Sequence, residues 1–225
     1  MSVKLVIFDI AGTTVLDDNN VAKAFQKAFD ENGVYINIED ATPLMGYHKP
    51  LAIQILLKQK GIVPDAGLVQ DIHDAFEKEM IYFYRYAPEV KAVKGAEEIF
   101  KKLKADGLRI ALNTGFSRNV ADAIIERFQW KEKGLIDDLI ASDEVEKGRP
   151  STDMIEQLMF RSGLTDPKEV AKVGDTTVDI EEGKNAGCQY VIGVTWGAGR
   201  EDELAGMQPS HLISDMMNVP EIILQ

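Results

Sequence analysis

Val3-Lys-Leu-Val-Ile-Phe-Asp-Ile-Ala-Gly-Thr-Thr-Val15 is the stretch on which the fold turns. Its apolar residues run on from Val3 to Ile10 with only Lys4 interrupting them early, and Asp9 is followed closely by Ala-Gly-Thr-Thr. A run without alternation suits a strand buried on both faces, the condition of a parallel sheet covered by helices. Leu108–Asn113 has the same character and ends at Thr114-Gly115, and Val170–Gly174 ends at Asp175-Thr176-Thr177. Asp138–Ala141 and Tyr190–Val194 are shorter examples. Between these runs, apolar residues recur at helical spacing over Ala96–Ala105, Arg118–Phe128, Thr152–Arg161 and Ile180–Ala186. Strands alternating with helices predict an α/β fold built on a parallel sheet.

One stretch breaks the alternation. From about residue 17 to Tyr86 the pattern is helical throughout, over Asn20–Asn32, Pro50–Gln59 and Gly67–Tyr86, with breaks near Gly33, Pro43–Gly46 and Gly61–Pro64. A helical insert directly after the first strand predicts a cap domain over 17–87 and an α/β core made of 1–16 and 88–225. Hinges are expected near residues 15–18 and 86–91.

Composition narrows the function. The 225 residues include 25 basic and 37 acidic ones, for a net charge of −12. That balance argues against binding nucleic acid through its phosphates and against docking on an anionic membrane. The single cysteine, Cys188, excludes an intrachain disulfide and a cysteine-rich zinc site, and it suits a reducing compartment. No stretch reads as a signal peptide or approaches the ~18 apolar residues of a membrane span. A cytoplasmic location is the expectation.

In an open parallel sheet, ligands bind beyond the carboxyl ends of the strands. Three of those ends carry Asp9, Thr114 and Asp175. Any one of them alone reads as a helix N-cap; the same chemistry at three strand ends predicts side chains converging on one ligand. Asp175 and Asp179 place two carboxylates at the start of one helix. With Asp9 they form an all-oxygen set suited to Mg²⁺.

Asp9-Ile-Ala-Gly-Thr-Thr-Val, Thr114-Gly115, Gly148-Arg149-Pro150 and Lys172-Val-Gly-Asp175-Thr-Thr-Val-Asp179 resemble, in order and spacing, the four motifs of the haloacid dehalogenase superfamily. The likeness spans the chain. Ala11, Gly148-Arg-Pro150, Glu182-Gly-Lys-Asn-Ala-Gly187 and Met45-Gly-Tyr-His-Lys49 narrow it to the phosphonatase-like branch, the phosphonoacetaldehyde hydrolases and their relatives. The resemblance implies a Rossmann-like parallel sheet under a helical cap, with Asp9 as the nucleophile toward phosphorus. It implies Mg²⁺ held by Asp9, Asp175 and the backbone carbonyl of Ala11, and Asp179 holding a metal-bound water. Gly12, Thr13, Thr114, Gly115 and Arg149 would bind phosphoryl oxygens. Met45, Gly46 and His48 would face the substrate from the cap, and Lys49 would form a Schiff base with its aldehyde.

Ala11 stands where phosphatases of the superfamily place a second aspartate, so the acid that protonates an alkoxide leaving group, usually worth about 10²–10⁴-fold, is missing. Cleaving a carbon–phosphorus bond requires an electron sink instead, and a lysine iminium is one. For that role the Lys49 amine must titrate well below its ordinary value of about 10.4; otherwise Lys49 is one more exposed lysine at a helix start. His48 reads equally as a proton relay or a plain loop residue. The family's histidine three residues after the lysine is Ala52 here, its tyrosine after Thr-Gly is Phe116, and Asn19 stands near its cysteine.

Two substrates follow from these features: phosphonoacetaldehyde or a related carbonyl phosphonate, or else a small phosphorylated metabolite with a good leaving group, such as an acyl or enol phosphate. A binding protein without turnover, or a dehalogenase with no need of Asp175 and Asp179, fits less well. An apolar cap helix could support a homodimer. His73 reads as a solvated residue of a cap helix, His211 as the edge of a last strand before Leu212-Ile213, and Trp130, Trp196 and Met216-Met217 as packing residues.

Overall fold

The computed structural model describes residues 2–224. Its strands are β1 (Leu5–Phe8), β2 (Arg109–Thr114), β3 (Asp138–Ala141), β4 (Val170–Gly174), β5 (Tyr190–Val194) and β6 (His211–Ile213). They form one parallel sheet in the order β3-β2-β1-β4-β5-β6. The helices are α1 (Asn20–Glu31), α2 (Ile38–Ala41), α3 (Lys49–Gln59), α4 (Ala66–Tyr86), α5 (Ala96–Ala105), α6 (Arg118–Phe128), α7 (Asp153–Arg161), α8 (Thr177–Asn185), α9 (Glu201–Gly206) and α10 (Val219–Ile223). Strand order reverses at β1, with β2 and β3 to one side and β4 to β6 to the other. Such a switch point opens a crevice at the carboxyl ends of the strands. Phe8 pairs with Leu112 on one side and Val173 on the other, so Asp9, Asn113 and Gly174 lie level at that end.

Alternate residues of each strand face opposite sides of the sheet, and each side has its own core. Val6, Phe8, Ile110, Leu112 and Val173 pack with α5, α6 and the helices of residues 20–86. Leu5, Ile7, Ala111 and Ile140 pack with Met154, Ile155 and Leu158 of α7 and Ile180 of α8. Each such side chain larger than alanine, fully buried, contributes about 1.5–3 kcal/mol. This two-sided burial is why the strands read as unbroken apolar runs. β1 stops at Phe8, short of the expected Ile10, because the Ile10 carbonyl accepts from the Thr14 and Val15 amides in a tight turn.

The regular structure within residues 20–86 is helical, with α1 and α3 packed on α4. Phe25 stacks on Phe76 at 4.4 Å between ring centroids, and Phe76 and Tyr84 both approach Phe116, which follows β2. The two chain crossings into this segment lie side by side: Val15 bridges Ala92 antiparallel, and the Leu16 amide donates to the Lys91 carbonyl at 3.0 Å. α2 lies in a stretch with no helical run of its own to betray it. Its four residues are held by a capping box between Asn37 and Asp40, too short a device for periodicity to register. No helix among the described residues is long and apolar enough to cross a membrane.

Candidate active site

The three carboxylates converge because each sits at the mouth of a neighbouring strand. Asp9 follows β1, and its amide donates to the Val173 carbonyl of β4 at 2.9 Å. Asp175 follows β4. Asp179 is the third residue of α8, where its carboxylate turns back to accept from the Thr176 amide and hydroxyl at 3.1 and 2.6 Å. One carboxylate oxygen from each of the three lies within 4.8 Å of the others, and all three residues are buried.

Asp175 is held from several sides. Thr13 Oγ1 donates to its Oδ1 and the Ala198 amide to its Oδ2, both at 2.8 Å. Only glycine fits around it: a Cβ on Gly12 or Gly197 would lie 2.2 Å from Asp175 Oδ2. Gly12 also has φ +87°, which a side chain disfavours. Burial, then the charges of Asp9 and Asp179, push the Asp175 carboxyl well above the usual carboxylate range. Burial also raises Asp9, against the pull of Arg149. For Asp179 burial acts upward too, but Arg149 and Lys172 together outweigh it and hold the carboxyl down at about 2.

Beneath the carboxylates lies a fully buried charge network. Arg149 Nη1 reaches Asp9 Oδ1 at 2.6 Å and Asp179 Oδ1 at 3.0 Å, and its Nη2 donates to Asn113 O and Oδ1 at 2.7 and 2.6 Å. Its Nε lies 3.2 Å from Glu182 Oε2, close enough for charge pairing but without hydrogen-bond alignment. Lys172 Nζ donates to Asn113 Oδ1 and Asp179 Oδ1, each at 2.8 Å. Asn113 Nδ2 in turn donates to both Glu182 oxygens. Four buried carboxylates, Asp9, Asp175, Asp179 and Glu182, thus face two buried cations in this cluster, Arg149 and Lys172. The excess of carboxylates over cations and the all-oxygen donors fit a divalent, hard cation such as Mg²⁺.

A narrow cavity opens above Asp9. Asp9, Ala11, Thr114, Gly115, Asp175 and Thr176 form its core-side wall, with Met45, Gly46, Lys49, Asp17 and Val21 opposite. The two walls touch closely: a Cβ on Gly115 would lie 2.5 Å from the Tyr47 carbonyl oxygen, and one on Gly46 2.6 Å from Thr176 Oγ1. Lys49, the first residue of α3, is 3% exposed. Its Nζ donates one long hydrogen bond, 3.3 Å to the Tyr47 carbonyl, and lies 5.0 and 5.7 Å from the ring centres of Phe116 and Phe25. Burial pulls its ammonium down from 10.5 to about 8, with Asp9 opposing and Arg149 assisting.

Several expected substrate contacts lie elsewhere. Arg149 does not line the cavity, because its guanidinium is committed beneath the site to Asp9, Asp179, Glu182 and Asn113. Thr13 is likewise buried, its hydroxyl spent on Asp175, and Gly12 acts as a clearance beside that carboxylate. His48 packs against Gly148 rather than the cavity, and burial lowers its imidazole. Asp17, Val21 and Ala198 line the cavity without having been singled out. Asp17 has one local signal, an aspartate directly before a helical run, but that signal marks a cap as readily as a site. Lys172 and Glu182 stand within motifs quoted above, yet only the fold shows that they and Asn113 form one network.

Residues 6–193 match the family model of haloacid dehalogenase-like hydrolases. The phosphonoacetaldehyde hydrolase of Bacillus cytotoxicus is 32% identical over 212 residues, spanning 88% of this chain and 78% of that protein. Among solved structures, a hydrolase from Pseudomonas syringae superposes with a TM-score of 0.87 at 16% identity, covering 97% of this chain and 96% of the other. A phosphonoacetaldehyde hydrolase-like protein from Oleispira antarctica gives 0.85 at 22% identity, covering 100% and 92%. At such identities these two likenesses speak to the fold alone.

Proposed function

The chain belongs to the haloacid dehalogenase-like hydrolases, and from that premise we propose that it cleaves the carbon–phosphorus bond of phosphonoacetaldehyde or a closely related carbonyl phosphonate. The observation that carries this reading is Lys49: a buried amine, titrating near 8, in the same cavity as Asp9 and opposite an alanine where a leaving-group acid would stand.

The residues divide the work as follows. The Lys49 amine condenses with the aldehyde, losing water and leaving a cationic imine next to the carbon that bears phosphorus. Arg149 holds Asp9 Oδ1, so the other oxygen of Asp9 is the one free to attack phosphorus. As the Asp9–phosphorus bond forms, the carbon–phosphorus pair moves into the imine and gives an enamine, so the step needs no acid at residue 11. Water then releases phosphate from Asp9, and protonation and hydrolysis of the enamine release acetaldehyde and restore the Lys49 amine. Mg²⁺ held by Asp9, Asp175 and the Ala11 carbonyl, with Asp179 behind a bound water, would offset the repulsion between carboxylate and phosphonate. Thr114 and the Gly115 amide would take phosphoryl oxygens from the cavity wall.

Residues 17–87 act in this reading as a cap. The cavity is narrow, its walls meeting where Gly115 faces the Tyr47 carbonyl and Gly46 faces Thr176. Substrate therefore enters when the Met45–Lys49 wall lifts from Gly115, Thr176 and Gly148, and closure brings Lys49 to Asp9 and excludes water.

The test is product stoichiometry. With Mg²⁺, phosphonoacetaldehyde should yield phosphate and acetaldehyde one for one, and chelation should stop both. If only acyl or enol phosphates release phosphate, the chain is a phosphatase of a small metabolite with a good leaving group.

A further inference from the structure

Forming an imine needs more than an amine. The nitrogen must shed a proton before it attacks, and the carbonyl oxygen must gain protons to leave as water. Of the proton-bearing side chains on the cavity wall, most are already engaged. Asp9 faces phosphorus, Asp175 belongs to the metal-binding set, Thr176 is bonded to Asp179, and the Thr114 hydroxyl accepts from the Phe116 amide at 3.2 Å. Ala52, one turn along α3 from Lys49, carries no proton. The His48 ring lies off the cavity.

Asp17 is the group left over. It lies on the cavity wall with Lys49, and each side chain is within electrostatic reach of the other. Its Oδ1 accepts from the Asn20 and Val21 amides at 2.8 and 3.2 Å, which anchors the carboxylate at the start of α1. Its Oδ2 receives no hydrogen bond from a described residue, and nothing in the phosphoryl chemistry uses it. Val21, Met45 and Phe116 supply apolar lining to the same cavity. Lys49 is buried there and Asp17 half-buried, so ammonium and carboxylate both lose solvation, and moving one proton between them discharges both at once. Lys23 is the other cation acting on Asp17, and its Nζ is tied to the Asp18 carbonyl at 2.8 Å.

We propose that Asp17 is the acid–base partner of Lys49, taking the proton that the ammonium sheds and delivering it to the carbonyl oxygen that departs as water. The proposal rests on the Schiff-base reading above. Lys49 passes one proton to the Asp17 carboxylate, and the freed amine adds to the carbonyl carbon. A second proton moves from that nitrogen to the new alkoxide. Asp17 then gives its proton to the resulting hydroxyl, the nitrogen pair closes the C=N bond, and water leaves. Ammonium and aldehyde become cationic imine and water, with Asp17 restored as carboxylate and no proton drawn from bulk solvent. On the return path Asp17 accepts a proton as water adds to the product imine.

The test is reductive trapping with phosphonoacetaldehyde and cyanoborohydride, followed by mass analysis of the Lys49 peptide, in wild type, Asp17→Asn and Asp17→Ser. Both variants keep an oxygen for the Asn20 and Val21 amides, and urea unfolding checks that they fold. Acetyl phosphate hydrolysis, which needs no imine, is measured beside it. The expected result is a trapping rate that falls at least about tenfold further than acetyl phosphate hydrolysis does, in line with the weight of proton transfer. Equal trapping in wild type and variants would overturn the role of Asp17 alone. A parallel loss of both reactions would make Asp17 a structural cap and overturn it too. No trapping in wild type would overturn the Schiff base and this proposal together.

Discussion

The two walls of the cavity are built on opposite principles. Under Asp9, charge is paired to excess: Arg149 and Lys172 touch Asp9, Asp179 and Glu182 directly, and Asn113 bonds to Arg149, Lys172 and Glu182. Across the gap, Lys49 has one long hydrogen bond, two aromatic rings and no ion pair within contact distance. The paired side keeps Asp179 ionised at about 2, while the unpaired side lets the lysine titrate near 8. Burial acts on both, and at Asp179 two cations outweigh it, whereas at Lys49 it prevails. The locked wall suits chemistry in which charges must not move, and the sparse wall suits a nucleophile that must lose its proton.

The comparison can be broken in four places. The largest effect is expected at Asp9, where both walls meet: Asp9→Asn should lower phosphate release from phosphonoacetaldehyde and from acetyl phosphate by about 10³-fold or more, as loss of a covalent nucleophile does. Steady-state phosphate assays read it, and survival of either activity would remove Asp9 from that role. Next, Lys172→Met strips one cation from the locked wall and leaves Asp179 and Glu182 short of charge. Urea unfolding should show a loss of about 3–5 kcal/mol, and a neutral result would mean that Arg149 alone carries the network.

A smaller effect tests the excess of carboxylates over cations. Mg²⁺ at about 100 times its dissociation constant should stabilise the wild type by about 2.7 kcal/mol, read as a rise in thermal midpoint. Asp175→Asn should lose most of that response, and an unchanged response would place the ion elsewhere. The smallest effect concerns contact between the walls. Gly115→Ala puts a methyl group against the Tyr47 carbonyl, so phosphonate turnover should fall about tenfold through imperfect closure, with an unfolding midpoint close to wild type. Full turnover in that variant would show that the walls need not meet as closely as they do here.

The same contrast explains what the sequence made legible. The sheet was readable because burial on both faces writes itself as unbroken apolar runs, and β3, β4 and β5 lie where those runs are. The convergence of Asp9, Thr114 and Asp175 was readable because strand ends in a parallel sheet share one edge. Arg149 and Thr13 were read as substrate contacts, yet their partners come from residues far apart in the chain, and no local pattern shows that those partners already occupy them. Asp17 was hidden for the opposite reason. It does an ordinary local job at the start of α1, and only the packing of that helix beside α4, with α3 beyond, puts it on one cavity wall with a lysine. Short elements such as α2 escape because a four-residue helix has no period to detect.

The central claim is that Lys49 is the reactive amine of the sparse wall, and Lys49→Arg tests it most directly. Arginine keeps the positive charge and much of the bulk but cannot form the imine. With Mg²⁺ present, phosphate release from phosphonoacetaldehyde and from acetyl phosphate should be measured side by side for wild type and variant. The account predicts that the variant loses the phosphonate reaction while an Asp9-dependent hydrolysis of acetyl phosphate survives. Phosphonate turnover at the wild-type rate in Lys49→Arg would contradict it.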